Sequence, residues 1–380
     1  MSAATPIRAV SLAAVLLGTA TFAVPRAVLA EEPTKMRIDQ DAFGTLADGR
    51  TVTRYRLTNT RGHFVELMDW GATLIGVHVP NRQGKLEDVT LSFPSLQGYL
   101  QRHPYYGSTV GRFCNRIAGG SFEIDGQRHT LATNNGPNHL HGGLVGFDAQ
   151  LWEGTSTVGT DQLSVEFRLH SPDGQEGYPG NMDVLVRYSW NDRDELRIDY
   201  EATSDKATHV NLTNHVYFNL GGAGSGPVTK HQLQVAADQV LDVDEGLIPT
   251  GEYRDVADTP LDFRQLHAIG ERIDQLQATR GYDHCFVVQG QPGDLRTAAY
   301  VIDPVSGRTL DVLTTQPGVQ LYTANHLGGD ASQGGFHQYG GFCLETQHYP
   351  DAPNKPSFAS TLLRPGETMH ESTVYRFGVQ

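Results

Sequence analysis

Long hydrophobic runs, cysteines and basic charge are all scarce in this 380-residue chain. The longest apolar stretch, Ala9-Val10-Ser11-Leu12-Ala13-Ala14-Val15-Leu16-Leu17, is too short for a membrane span of ~20 residues, and Pro25 and Arg26 prevent its extension. Arg8 stands before this run, and Val28-Leu29-Ala30 places small residues just before Glu31-Glu32-Pro33. That layout is a secretory signal peptide. The expectation is that residues 1–30 are cleaved, that residues 31–380 form one domain with no membrane attachment, and that the product is periplasmic or extracellular. The three cysteines, Cys114, Cys285 and Cys343, have neither zinc-motif spacing nor the density of a disulfide framework, so free buried thiols are expected. With 29 Lys and Arg against 43 Asp and Glu, the formal charge is −14, which argues against nucleic acid and anionic lipid as partners.

Helical periodicity is also scarce. It occurs weakly in Phe263–Leu276, where Gly270 interrupts it, and predicts one or two short turns. Period-two alternation dominates instead. Leu163, Val165, Phe167 and Leu169 share one face of 162–170. Met182, Val184, Val186, Tyr188 and Trp190 do so in 182–190, and Leu196, Ile198, Tyr200 and Ala202 in 195–202. Each such strand buries one face, and Asn191-Asp192-Arg193-Asp194 is a turn between two of them, so the three read as an antiparallel meander. Asp125-Gly126 and Ser306-Gly307 mark further hairpins, and 42 glycines and 19 prolines suit many turns. No repeated blade motif supports a propeller. The prediction is an all-β fold of stacked antiparallel sheets in a single domain.

Five segments concentrate groups that bind or ionise: 111–117 (GRFCNRI), 136–143 (GPNHLHGG), 211–219 (NLTNHVYFN), 281–284 (GYDH), and 315–320 (TQPGVQ) with 341–347 (GFCLETQ) downstream. Singly, each has a bland reading. Arg116 is an ordinary surface charge, and Glu345 after an apolar residue is the wet face of a strand. His139 and His141 stand two apart, as on a metal-binding strand. The Glu that normally completes such a set is replaced by Val145 and Gly146, so no metal is expected.

In order along the chain, Asn115-Arg116, Leu140-His141-Gly142-Gly143, 211–220, 315–320, Leu344-Glu345-Thr346-Gln347 and Leu363-Arg364-Pro365-Gly366-Glu367 resemble the signature segments of the aldose 1-epimerase (galactose mutarotase) family, over about 43–379. The resemblance implies a large antiparallel β-sandwich of the mutarotase-like supersandwich kind, acting on free aldoses such as galactose and glucose. It implies His215 as general acid and Glu345 as general base, with Asn115, Arg116, His141, Tyr217, Asp283 and Gln320 holding the sugar and His141 near the ring oxygen. No cofactor is implied, and a monomer or homodimer is expected. Cys114, beside Asn115, and Leu91-Ser92-Phe93-Pro94 depart from the common pattern, neither at a proposed catalytic position. Exchange of anomers needs a base for the C1 hydroxyl and an acid for the ring oxygen, which a carboxylate and an imidazolium supply near neutral pH. A nearby carboxylate, Glu345 or Asp283, is expected to favour the protonated imidazole. Three rivals share these residues. A glycosidase would pair Asp283 with Glu345. A sugar-binding module could dispense with His215 or Glu345. An epimerase of phosphorylated hexoses would need a basic cluster that this acidic chain does not display.

Overall fold

Alternating apolar and polar residues drive most of this chain into antiparallel strands, since each strand then buries one face. The computed structural model describes residues 1–6 and 35–380; apart from its first six residues, the signal-peptide reading lies outside them. Residues 35–380 belong to one compact unit. Its largest sheet has nine strands in the order Glu153–Val158, Gln162–Ser171, Met182–Asn191, Glu195–Ser204, Met369–Val379, Arg308–Thr314, Arg296–Ile302, Gln232–Val235 and His267–Ala268. The second to fourth strands are the predicted meander, paired Leu163↔Trp190, Val165↔Tyr188 and Val186↔Tyr200, so their apolar positions share one face. The hairpin at Asp125-Gly126 joins Ser121–Ile124 to Gln127–Thr130, and both turn residues have positive φ, 51° and 79°. Phe263–Leu276 contains two 3₁₀ turns, Ile269–Glu271 and Ile273–Gln275. Cys114, Cys285 and Cys343 are free and buried.

Two five-stranded sheets share the core of the large one. The first is Arg37–Thr45, Thr51–Thr58, Phe64–Met68, Thr73–Pro80 and Leu86–Asp88; its Leu57, Val65, Leu67 and Val77 pack with the meander's inward side chains. The second runs Pro249–Asp255, Gln239–Val243, Asp283–Val287, Gly318–Tyr322 and Cys343–Gln347. Its Val240, Phe286, Val319, Leu321 and Leu344 enter the same core as Val301, Leu310, Val312 and Tyr375. Each such side chain stabilises the fold by roughly 1.5–3 kcal/mol. The alternate residues of this second sheet point away from that core, and among them is the chemistry of the molecule.

Polar groups clamp the layers. Arg308, fully buried, donates to the carbonyls of Val79, Lys85 and Leu220 and to Glu87 Oε2 at 2.7 Å, tying the nine-stranded sheet to the N-terminal one. Removing such a donor strands buried acceptors at about 1–3 kcal/mol each. Arg308→Met should therefore lower unfolding free energy by about 3 kcal/mol or more in urea titration, while Arg168→Met, at an exposed side chain, should change it by less than ~0.5 kcal/mol. Equal denaturation midpoints for the two variants would refute the clamp.

Candidate active site

Period two on the second five-stranded sheet places Asp283 and Cys285, Gln320 and Tyr322, and Cys343, Glu345 and Gln347 on one face. Register aligns them: Asp283 faces Tyr322, which faces Cys343, and Cys285 faces Gln320, which faces Glu345. Glu345 is not on a wet face. All five residues of Cys343–Gln347 are buried: the core lies on one side and a narrow cleft on the other, and the chain around Thr213–Asn214 runs against the strand. Thr213 donates its hydroxyl to the Thr346 carbonyl at 2.8 Å. Thr213–Asn214 pairs in turn with Thr109–Val110, and His215 exchanges backbone hydrogen bonds with Ser108 and Gly107. Gly107 has φ 63°, and a Cβ there would lie 1.8 Å from the Leu74 carbonyl oxygen, so only glycine lets this loop deliver His215.

The other wall is built by a two-residue ladder in which Leu140 pairs with Arg116. Past it, His141 turns out at φ 52° opposite Asn115 at φ 60°, both in the left-handed region. At Gly142 a Cβ would meet the Gly111 carbonyl oxygen at 1.8 Å, so the chain can bend there only without a side chain. The Asn115 N–H donates to His141 Nδ1 at 3.1 Å, and the His141 N–H to the Asn115 carbonyl.

These elements enclose a cleft of about 270 Å³ that all eight sequence-predicted residues line: Asn115, Arg116, His141, His215, Tyr217, Asp283, Gln320 and Glu345. Its size lies just under the ~300–1,000 Å³ of pockets for drug-sized ligands, which suits one small polar molecule. Gln320 Nε2 donates to Asp283 Oδ1 at 2.5 Å, and Arg116 Nη2 stands 3.7 Å from Asp283 Oδ2. Glu345 Oε2 and Gln320 Oε1 are buried acceptors with no partner among the described residues. A groove of about 670 Å³ on the large sheet is roomier, but none of its ionisable groups, Glu153, Arg168, His170, Asp183 and Glu201, is buried.

On the cleft floor His215 Nε2 stands 3.6 Å from Glu345 Oε1, with only 5% and 2% of the two residues exposed. The expectation that a carboxylate favours an imidazolium here is corrected by the structure. Burial dominates both groups. It pulls His215 down to about 4, and it raises Glu345 well above the usual range, with the Asp283 charge second. Each ion would lose its hydration, so burial drives the pair, 3.6 Å apart, toward carboxylic acid plus neutral imidazole. It still holds one shared proton.

Sequence reading missed Tyr105, Tyr322, His326 and Cys343. Tyr105 and Tyr217 flank the His215 ring at 5.7 and 5.1 Å between centroids, each tilted 27°. Tyr322 and Cys343 were discoverable as i±2 neighbours of Gln320 and Glu345; Tyr105 lies in a loop with no periodic signal. Other residues of the polar segments serve the scaffold. Arg112 donates to the carbonyls of Pro179 and Gly180, Asn211 bonds both ways with the His348 backbone, and Asn214 donates to the Gly107 carbonyl. His139 spends its ring nitrogens on the Ala132 carbonyl and the Tyr178 hydroxyl, so it makes no site with His141.

His141, His215 and Glu345 do offer three atoms within 4.8 Å of one another, close enough to surround a divalent ion. His141 does not fit that role: its Nδ1 already accepts a hydrogen bond, so the neutral ring carries its proton on Nε2 and shows the cleft a donor rather than a lone pair. The paired-carboxylate reading fits no better. Asp283 is held by Gln320 and Arg116, and an imidazole stands 3.6 Å from the Glu345 carboxyl.

Residues 53–376 match the family model for aldose 1-epimerase. The chain is 45% identical to the galactose mutarotase of Bos taurus over 346 residues, covering 90% of this chain and 99% of that protein. It is 39% identical to the aldose 1-epimerase of Escherichia coli (strain K12) over 337 residues, 87% and 96% of the two. Its fold superposes on the crystal structure of galactose 1-epimerase from Lactobacillus acidophilus NCFM with a TM-score of 0.82 at 30% identity, covering 91% and 99%. Glu345, His215 and the polar rim around them thus sit in a chain that belongs to the aldose 1-epimerase family.

Proposed function

We infer that this protein interconverts the α and β anomers of free aldohexoses such as galactose and glucose by opening and reclosing the sugar ring. One observation carries the reading: a carboxyl and an imidazole 3.6 Å apart, buried on the floor of a cleft of monosaccharide size. For ring opening the pair's one proton lies on His215, and Glu345, as carboxylate, takes the proton of the C1 hydroxyl while His215, as imidazolium, gives one to the ring oxygen. The bond from C1 to the ring oxygen breaks, its electrons go to that oxygen, and C1 becomes an aldehyde. Rotation about C1–C2 presents the other face, and the two proton transfers reverse. The pair carries one proton before and after each transfer. Its neutral form, which burial favours, is the one left beside the open chain. His141 donates from Nε2 toward the ring oxygen. Arg116, Asp283, Gln320 and Asn115 fix the remaining hydroxyls, and Tyr217 backs the His215 ring.

Decay of optical rotation of freshly dissolved α-glucose and α-galactose, with the buffer rate subtracted, tests this. The wild type should accelerate both, while Glu345→Gln and His215→Asn should each lower kcat by ~10²–10⁴-fold. Arg116→Met and Asp283→Asn should act mainly on KM. A wild type inert on every common aldose would sink the reading, and a fully active Glu345→Gln would remove the base.

The pH profile gives a second check. The working pair holds one proton, so activity is lost below the lower macroscopic pKa and above the upper one. With His215 held near 4 by burial, kcat/KM should persist to about pH 5 and fall only below it. An acid limb centred near the ordinary histidine value of about 6.5 would contradict the desolvated pair.

We also propose that the protein is exported to the periplasm or beyond the cell, from Arg8, the apolar run 9–17 and Val28-Leu29-Ala30. Mass spectrometry of the protein from its native host should find Glu31 as the mature N-terminus; a chain retained with residues 1–30 intact would refute export.

A further inference from the structure

A group that gives up a proton from one ring nitrogen must hold its other N–H in place throughout. If His215 donates from Nε2, the neutral ring left behind carries its remaining proton on Nδ1. That nitrogen therefore needs an acceptor both before and after transfer, and a donor there would force the wrong tautomer. The two cleft histidines differ in this respect. Behind His141 stands a donor, the Asn115 N–H, 3.1 Å from Nδ1. Behind His215 stands the Cys343 sulfur, 3.7 Å from Nδ1 and within the range of a sulfur hydrogen bond. Cys343 is fully buried two residues before Glu345 on the same strand face, packed in one cluster with Tyr217.

We propose that Cys343 is a positioning residue that accepts the Nδ1–H of His215, so that His215 takes and releases protons at Nε2 while His141, locked as the Nε2–H tautomer, serves only as a hydrogen-bond donor. The contact is then His215 Nδ1–H to Cys343 Sγ. Burial keeps the thiol protonated, so the acceptor is neutral and weak. That choice has a chemical consequence. A carboxylate behind the ring would stabilise the imidazolium and blunt it as an acid, whereas a thiol orients the ring and leaves it strongly acidic, as a poorly basic ring oxygen requires. One strand thus supplies both the base and the support of the acid.

The inference rests on the mutarotase reading, and its test separates the two. In ¹⁵N NMR of the wild type, neutral His215 should be the Nδ1–H tautomer and His141 the Nε2–H tautomer; this readout needs neither activity nor a variant. In polarimetry, Cys343→Ala should lower kcat about tenfold with KM within about twofold, the size of one lost hydrogen bond. Cys343→Ser, which restores an acceptor, should recover most of that rate. Neutral His215 found as Nε2–H overturns the proposal. So does an Ala variant of wild-type kcat, or a folded Ser variant as impaired as Ala. A wild type with no mutarotation at all would instead overturn the function inferred above.

Discussion

The cleft depends on the removal of water from one carboxyl and one imidazole. In solution the two would be an anion and a cation. On the cleft floor burial pushes both toward neutrality, raising Glu345 and lowering His215. A single proton then belongs to the pair rather than to either residue. This suits chemistry in which one proton leaves the sugar as another arrives.

Such a pair has to be held dry without losing access to substrate, and the sheets arrange this. Glu345 comes from a strand buried along its whole length, with the common core under Leu344 on one side and the cleft on the other. His215 comes from a short ladder laid over that strand. The two are joined by Thr213 bonding to the Thr346 carbonyl and by the backbone exchange at Gly107 and Ser108. Much of the polar content of 211–219 goes into this stitching. Asn211 and Asn214 satisfy backbone groups that irregular buried chain would otherwise leave bare.

The rim obeys a different rule. Arg116 and Asp283 are partly exposed and already contact each other, and Gln320 braces Asp283, so the hydroxyl-binding groups are organised before any sugar arrives. Preorganisation of this kind lowers the ordering cost of binding. Deep in the cleft, Glu345 Oε2 and Gln320 Oε1 remain as acceptors for hydroxyl donors. The division is between a floor that tunes protons and a rim that reads hydroxyls.

Period-two alternation by itself determined the meander and the all-β class, because one buried face per strand is a local requirement, and Asp125-Gly126 marked its hairpin through turn chemistry. The ordered segments likewise marked Asn115, Arg116, His141, His215, Tyr217, Asp283, Gln320 and Glu345 before any fold was known, and the structure gathers all eight in one cleft. Three things were decided only by the tertiary structure. Glu345 looked like a wet-face residue, since no local pattern reveals that chain from residues 213–215 will run against its strand. The proton was expected on His215, but desolvation is a property of everything packed around a group. Tautomers are not written in the sequence either: His141 and His215 are the same residue type, and only the Asn115 N–H behind one and the Cys343 sulfur behind the other set them apart.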